Sequence, residues 1–357
     1  PAAAAAGAPS PPPLQPLLAL ARPRGLDRWP QPALWFDLET TGLGGGAGVR
    51  AFLVGVARLE GQELAVRQHV LPDLDREAAF LEEVARDLAA PSWVTYNGRT
   101  FDAPLLRDRC TLHGVEPPAP LLELDLLPAA RAVWRRRLGS AALSRLATEV
   151  LGLPPEDGPG GGEMPALYAA FLAEGDPFWL AGAVQHNRVD LLALASLTWE
   201  LAAALEDPPP SWPAPDLIGL ARLAERCGRL PAALLALERA ARRAERPGER
   251  AAALAALARL HKRGRRYGAA AALLEEAVAA PVLPSLTHLD ELAKLQEHRL
   301  GDLHRALALT ERALRLLTLQ GEGRAALARA AWERRRARLL RRLARAAAGS
   351  GRGRRPG

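Results

Sequence analysis

The sequence predicts an α/β domain built on a mixed sheet flanked by helices, followed by an all-α domain of helical repeats. Three observations predict it. From residue 33 to residue 112, apolar alternation and apolar helical periodicity succeed one another as strand, strand, strand, helix, strand, helix, the order of a sheet with helices on its faces. The run Pro208-Pro209-Pro210-Ser211-Trp212-Pro213-Ala214-Pro215 then stiffens the chain into a linker. Beyond that linker a two-helix pattern recurs at spacings of 37 and 35 residues.

Residues 1–32 are rich in alanine and proline and have little to bury, so a disordered or loosely attached arm is expected. The chain opens on Pro1 and its only methionine is Met164, which places the natural start upstream. The opening lacks the basic start and apolar core of a signal peptide. The α/β domain is expected over 33–206, with its first strand at 33–38. Five glycines between Gly42 and Gly48 mark a turn. No Lys-Ser/Thr follows them, as a P-loop would require. Residues 51–57 and 63–70 are the second and third strands, joined through Glu60-Gly61-Gln62. Asp75 to Ala90 forms an amphipathic helix, with Asp75 as N-cap and Pro91 as its stop. Trp93-Val94-Thr95-Tyr96 is a short strand leading into a turn and a helix that runs to about Leu112. Residues 126–150 are expected to be helical, 154–162 a Pro/Gly loop, and 163–205 mostly helix.

After the linker at 207–215, Leu220-Ala221-Arg222-Leu223 recurs as Leu257-Ala258-Arg259-Leu260 and as Leu292-Ala293-Lys294-Leu295. A second helix follows each copy. A period near ~34 residues with two helices per unit matches tetratricopeptide-type repeats, which stack to share a core. A plain helical bundle is the simpler alternative. The repeats are expected over 216–346 and a basic Gly/Arg tail over 347–357.

Charge divides along the same boundary. Residues 1–215 hold 17 Arg against 26 Asp and Glu, a net of −9, while 216–357 hold 30 Lys and Arg against 14 acids, a net of +16. A carboxylate-bearing half joined to a half that attracts polyanions accounts for this split. Compositional bias accounts for the basic half equally well, since 45 of the 47 cations are arginine. No apolar run is long enough to span a bilayer, because Arg, Asp or Pro interrupts each one. Two distant cysteines, Cys110 and Cys227, suggest no disulfide framework, and a reducing cytoplasm is the simplest home.

The chemistry centres on Leu34-Trp35-Phe36-Asp37-Leu38-Glu39-Thr40-Thr41-Gly42. Side chains alternate along a strand, so Asp37 and Glu39 point to the same face. Like charges side by side each favour the neutral form, and a divalent cation removes the conflict. Two solvated acids at a strand end would look the same in isolation. The sequence, however, supplies Asp102 after a strand and turn, then His186 and Asp190 four apart on one helix face. Asn97 precedes Gly98 and is read first as a turn former, with a hydrogen bond near the acids as its other role. Asp125 is explained by a helix N-cap before Pro128. His69 and His113 have no acid at ligand spacing and are read as structural, and Tyr168 as packing.

These residues resemble the DEDD superfamily of 3′–5′ exonucleases, which has a ribonuclease-H-like fold. Asp37-x-Glu39 with Thr40-Thr41-Gly42 resembles its first motif, Asn97-x-x-x-Phe101-Asp102 its second and His186-x-x-x-Asp190 its third. Tyr96-Asn97-Gly98 through Asp102-Ala103-Pro104-Leu105-Leu106, with His186-Asn187-x-x-Asp190-Leu191, looks closest to the YprB-like ribonuclease-H-like proteins, which carry a tetratricopeptide-type region after the nuclease domain. The resemblance covers about 33–205. One departure stands out: members with histidine usually place it five before the last aspartate, and the spacing of four seen here usually goes with tyrosine.

The resemblance implies a metal-dependent nuclease, a 3′–5′ exonuclease on single-stranded or frayed DNA or RNA, with two Mg²⁺ or Mn²⁺ ions. Asp37 would bridge both ions, Glu39 and Asp190 would hold one, and Asp102 would support the other. His186 would accept a proton from water, near the ordinary imidazole pKa of ~6.5. Thr40, Thr41 and Asn97 would meet the substrate. The basic repeats would take nucleic acid or a protein partner. The rival from another class is a non-catalytic scaffold that uses a nuclease-like fold to grip nucleic acid and helical repeats to recruit a partner.

Overall fold

The computed structural model describes residues 13–22, 25–42, 48–155, 158, 160–280, 283–319 and 326–350. Residues 43–47 of the expected glycine turn, and 351–357 of the expected tail, lie outside that range. The sheet takes β1 (Ala33–Thr40), β2 (Ala51–Glu60), β3 (Glu63–Val70), β4 (Ser92–Thr95) and β5 (Leu122–Asp125) in the spatial order β3-β2-β1-β4-β5. The first three strands are antiparallel neighbours, whereas β4 runs parallel to β1 and β5 parallel to β4. This is the mixed sheet the sequence predicts. β5 adds a strand the pattern did not reveal, because Leu-Glu-Leu-Asp is too short to show a period.

The helices of this region are α1 (Glu77–Asp87), α2 (Asp102–Leu112), α3 (Leu127–Val133), α4 (Arg135–Leu138), α5 (Leu143–Glu149), α6 (Met164–Glu174) and α7 (Phe178–Glu206), of which α1, α2, α6 and α7 pack on the sheet and α5 packs on α7. The expected helical stretch 126–150 is therefore three short helices, broken at Trp134 and after Gly139. β1 is buried on both faces. Leu34, Phe36 and Leu38 join Phe80, Val84 and Trp93 in the core, with Phe36 edge-on to Trp93 at 5.0 Å between ring centroids. Trp35, on the alternate face, gives its indole N–H to Thr198 Oγ1 on α7 at 2.9 Å. Part of the expected loose arm is in fact packed: Gln15–Ala21 forms a 3₁₀-helix, Leu17 and Leu18 are buried, and Trp29 Nε1 bonds Ser92 Oγ at 3.0 Å.

Two ion-pair clusters join the elements of this half. Glu77 on α1 receives Arg109 of α2 through both carboxylate oxygens at 2.6 and 2.5 Å, and also Arg50 at 2.9 Å and His113 at 3.2 Å. Glu77 and Arg109 are only 2% and 3% exposed. Asp87 receives Arg58, Arg67 and His69 in the same way. His69 and His113 are thus structural, as expected, but with acidic partners supplied by tertiary contact. Tyr168 is buried, stacked on Phe52 at 4.4 Å, and its hydroxyl donates to Leu71 O at 3.0 Å.

The chain divides into two compact units, Pro1–Pro209 with Arg222–Ala233, and Pro210–Ala221 with Leu234–Gly357. The C-terminal region is all helical: α8 (Ala214–Arg226), α9 (Leu230–Arg243), α10 (Pro247–Arg263), α11 (Tyr267–Ala279), α12 (Leu286–Leu295), α13 (Leu303–Leu319) and α14 (Ala326–Ser350). α8 starts inside the segment expected to be a linker, and α14 runs past the expected start of the basic tail. From α10 onward each helix packs on the next, over a core that includes Leu274, Leu292, Leu309 and Trp332. Six of the eight arginines of α14 fall into two sets, while Arg329 bonds Thr318 and Arg336 pairs with Glu311. Arg338 and Arg342 bond the buried Glu297 at 2.8–3.0 Å, and Arg335 bonds Asp290 at 2.8 Å. Arg334, Arg341 and Arg345 lie exposed. No helix among the described residues is long and apolar enough to cross a membrane, and Cys110 and Cys227 are free thiols.

Candidate functional site

Because β1, β4 and β5 run the same way, their carboxyl ends form one edge of the sheet, where open α/β sheets place their ligand crevices. The predicted acids gather there. Asp37 and Glu39 lie near the end of β1, beyond the pairing with β4, which stops at Trp35. Asp102 opens α2 after the Asn97-Gly98 turn that follows β4, and Asp125 ends β5. α7 brings His186 and Asp190 to the same place: His186 Nε2 is 4.0 Å from Glu39 Oε1 and 3.7 Å from Asp190 Oδ2. A cleft of about 560 Å³ opens beside His186 and Asp190, with Ser144, Arg145 and Thr148 of α5 on its wall.

The turn after β4 is built around a close approach. Asn97 has φ of +69°, and its backbone N–H donates to Asp125 Oδ1 at 2.8 Å. The same oxygen accepts from Leu127 N at 2.9 Å in the first turn of α3. The turn-forming role of Asn97 is therefore observed, whereas Asp125 is not the N-cap: Leu126 holds that position, and the Asp125 carboxylate at the end of β5 bridges Asn97 N and Leu127 N. A Cβ on Gly98 would sit 2.7 Å from Asp102 Oδ2 and 2.6 Å from Thr95 Cβ, so only glycine lets the Asp102 carboxylate lie over the turn. Thr40 Oγ1 donates to Gly42 O at 2.8 Å, and Thr41 Oγ1 accepts from Arg50 N at 3.0 Å. These bonds brace the loop entrance after β1.

The electrostatics are those of crowded carboxylates. The Asp37 pKa is held well above the usual range, first by burial and then by the charges of Asp190, Asp102 and Glu39; a hydrogen bond from Asn187 opposes the rise. Asp102 is pushed up to about 7 by burial and by Asp125. Among the described residues, no three His, Cys, Asp or Glu side chains close around a single cation position. The donor set still fits a hard divalent cation. Its members are carboxylates, three of them raise the proton affinity of Asp37, and Mg²⁺ needs only one or two of them because it keeps several waters.

Three further residues complete the site, none of them singled out from the sequence. Asn187 is fully buried on α7, and its Nδ2 donates to Asp37 Oδ2 at 3.0 Å and to Asp37 O at 3.2 Å. Gln68 Nε2 donates to Asn187 Oδ1 at 2.9 Å and to Val184 O at 2.8 Å. Gly55 lies beneath Asn187. The asparagine stood beside His186 in the third motif, and that was the one signal available.

Residues 34–202 match the RNase_H_2 family model, which belongs to the RNase_H superfamily. Across 167 residues the chain is 38% identical to Uncharacterized protein YprB of Bacillus subtilis (strain 168). That alignment covers 46% of this chain and 40% of the bacterial protein, so the chain spans less than half the length of this relative.

Proposed function

We propose that this chain, whose residues 34–202 match the RNase_H_2 family model, is a divalent-cation-dependent nuclease that removes nucleotides from the 3′ end of single-stranded or frayed DNA or RNA. The observation that carries this reading is the gathering of Asp37, Glu39, Asp102 and Asp190 at one sheet edge, with His186 within 4.0 Å of Glu39 and 3.7 Å of Asp190. A buried carboxylate crowded by three others, as Asp37 is, is costly without cations to neutralise the cluster. Two bound Mg²⁺ or Mn²⁺ ions would supply stabilisation of the charge that develops on the attacking and leaving oxygens.

The protein's own groups do the rest. Asp37, Glu39, Asp102 and Asp190 would hold the cations. His186 accepts the proton of the attacking water, a task suited to an imidazole near neutral pH. As the new oxygen–phosphorus bond forms, the bond from phosphorus to the preceding 3′ oxygen breaks, releasing the terminal nucleotide. Thr40 and Thr41 shape the entrance at the end of β1, and Asn97 holds the turn that presents Asp102. The C-terminal helices, read as tetratricopeptide-type repeats, retain nucleic acid through outward arginines. End-labelled DNA and RNA oligonucleotides incubated with Mn²⁺ test the reading. Wild type is expected to yield a ladder of single-nucleotide steps and Asp37→Ala to leave the substrate intact; intact substrate with both proteins overturns it.

A further inference from the structure

Cross-strand register places Gln68, Gly55 and Asp37 opposite one another in a row across β3, β2 and β1. Residues so paired present their side chains on one face of the sheet. The two outer members are two strand spacings apart, roughly 10 Å, and the middle member has no side chain. Asn187 of α7 fills that gap. Its carbonyl oxygen accepts from Gln68 and its amide nitrogen donates to the Asp37 carboxylate, so one side chain spans the row. A Cβ on Gly55 would lie 2.0 Å from Asn187 Oδ1 and 2.6 Å from Leu191 Cδ1, which shows how closely α7 is seated there.

Asn187 lies next to His186 in the chain and three residues before Asp190. Its seating therefore sets where both come to rest over β1. Gln68 adds a second tie by bonding Val184 O in the preceding turn of α7.

We propose that Asn187 is the positioning residue of this site: suspended from Gln68 over Gly55, its amide fixes the Asp37 carboxylate and the placement of α7, and so sets the spacing between the β1 acids and His186 with Asp190. The inference rests on the nuclease reading above. A side chain that orients a cation-holding carboxylate tunes the affinity of the site without touching the cation. Loss of such a partner typically costs 10–100-fold in affinity or activity.

The test is calorimetric titration of Mn²⁺ into the full chain without nucleic acid, with circular dichroism and a thermal midpoint for each variant. Asn187→Ala is expected to weaken Mn²⁺ binding by about 10–100-fold. With saturating Mn²⁺ it should lower kcat and leave the oligonucleotide KM unchanged. Gln68→Met removes only the far tie and is expected to show a smaller loss in the same direction. Combined with Asn187→Ala it should add less than it costs alone, because the relay is already broken and only the bond to Val184 O remains to be lost. Gln68→Met decides the matter if Asn187→Ala fails to fold. Folded variants that bind Mn²⁺ as tightly as wild type overturn the positioning role. Asp37→Ala separates the two failures: if wild type binds no Mn²⁺, or Asp37→Ala binds it equally well, the nuclease reading falls and this inference with it.

Discussion

His186 faces two carboxylates from different elements, Glu39 on β1 and Asp190 one turn further along its own helix. A general base so placed contributes about 10²–10⁴-fold to rate. His186→Gln is therefore expected to lower kcat by that range on an end-labelled oligonucleotide while Mn²⁺ binding stays near wild type; an unchanged kcat removes His186 from the chemistry. Four of the five proposed site residues were legible in the sequence through two signals that survive without coordinates, and Asp102 through its place after a strand and turn. Strand alternation puts Asp37 and Glu39 on one face, and the four-residue step puts His186 and Asp190 on one helix face. Gln68 and Gly55 were not legible, and Asn187 was legible only as a neighbour of His186 in the third motif, without its role. Each has an ordinary local reading, as an edge-strand polar residue, a weak point in a strand and a helix polar residue. Their shared role exists only once the registers of β2 and β3 are fixed, and no spacing along the chain encodes those.

Among the elements, α1, α2 and the start of β2 are held together by the cluster at Glu77. Arg109→Met is expected to cost about 3–5 kcal/mol in denaturant unfolding, because it leaves a buried carboxylate short of its principal partner. The pH dependence follows from the same cluster. Burial alone would raise the Glu77 pKa, but the hydrogen bonds and charge of Arg109, helped by Arg50 and His113, outweigh it and the net direction is down. A depressed folded-state pKa contributes stability that is present above the unfolded-state value of ~4.3 and is lost as pH falls through the lower folded value. Thermal midpoints followed from pH 7 towards pH 3 should therefore fall more steeply at the acid end in wild type than in Glu77→Gln; parallel curves would remove Glu77 as the cause. The strand and helix order from β1 to α2 was legible because most of its elements are long enough to show their period, and the four-residue β4 is marked instead by the aromatic and β-branched run Trp93-Val94-Thr95. β5 and the break-up of 126–150 into α3, α4 and α5 were not, since elements of four to seven residues complete too few periods.

At the scale of the whole molecule, the charge split of the sequence overstates what the basic half offers to a ligand. Arg335, Arg338 and Arg342 pair with Asp290 and Glu297 within the helical region and Arg336 pairs with Glu311, whereas Arg334, Arg341 and Arg345 lie exposed on α14. If these three meet phosphates, replacing them with Gln lowers the slope of log affinity against log salt by ~2 for single strands, at about 0.7 per contact. An unaltered slope assigns the nucleic-acid contact elsewhere. The sheet carries a different consequence. β1 is bonded along both edges near its start, while α7, which carries the other half of the site, is seated on the sheet through side chains such as Trp35, Asn187 and Gln68. Side-chain seating releases before a paired ladder does, so in hydrogen exchange the amides of α7 around His186 should label before those of β1. Breathing of this site then means one wall lifting from a fixed floor, and a long nucleic-acid end gains entry without the acids of β1 leaving their register.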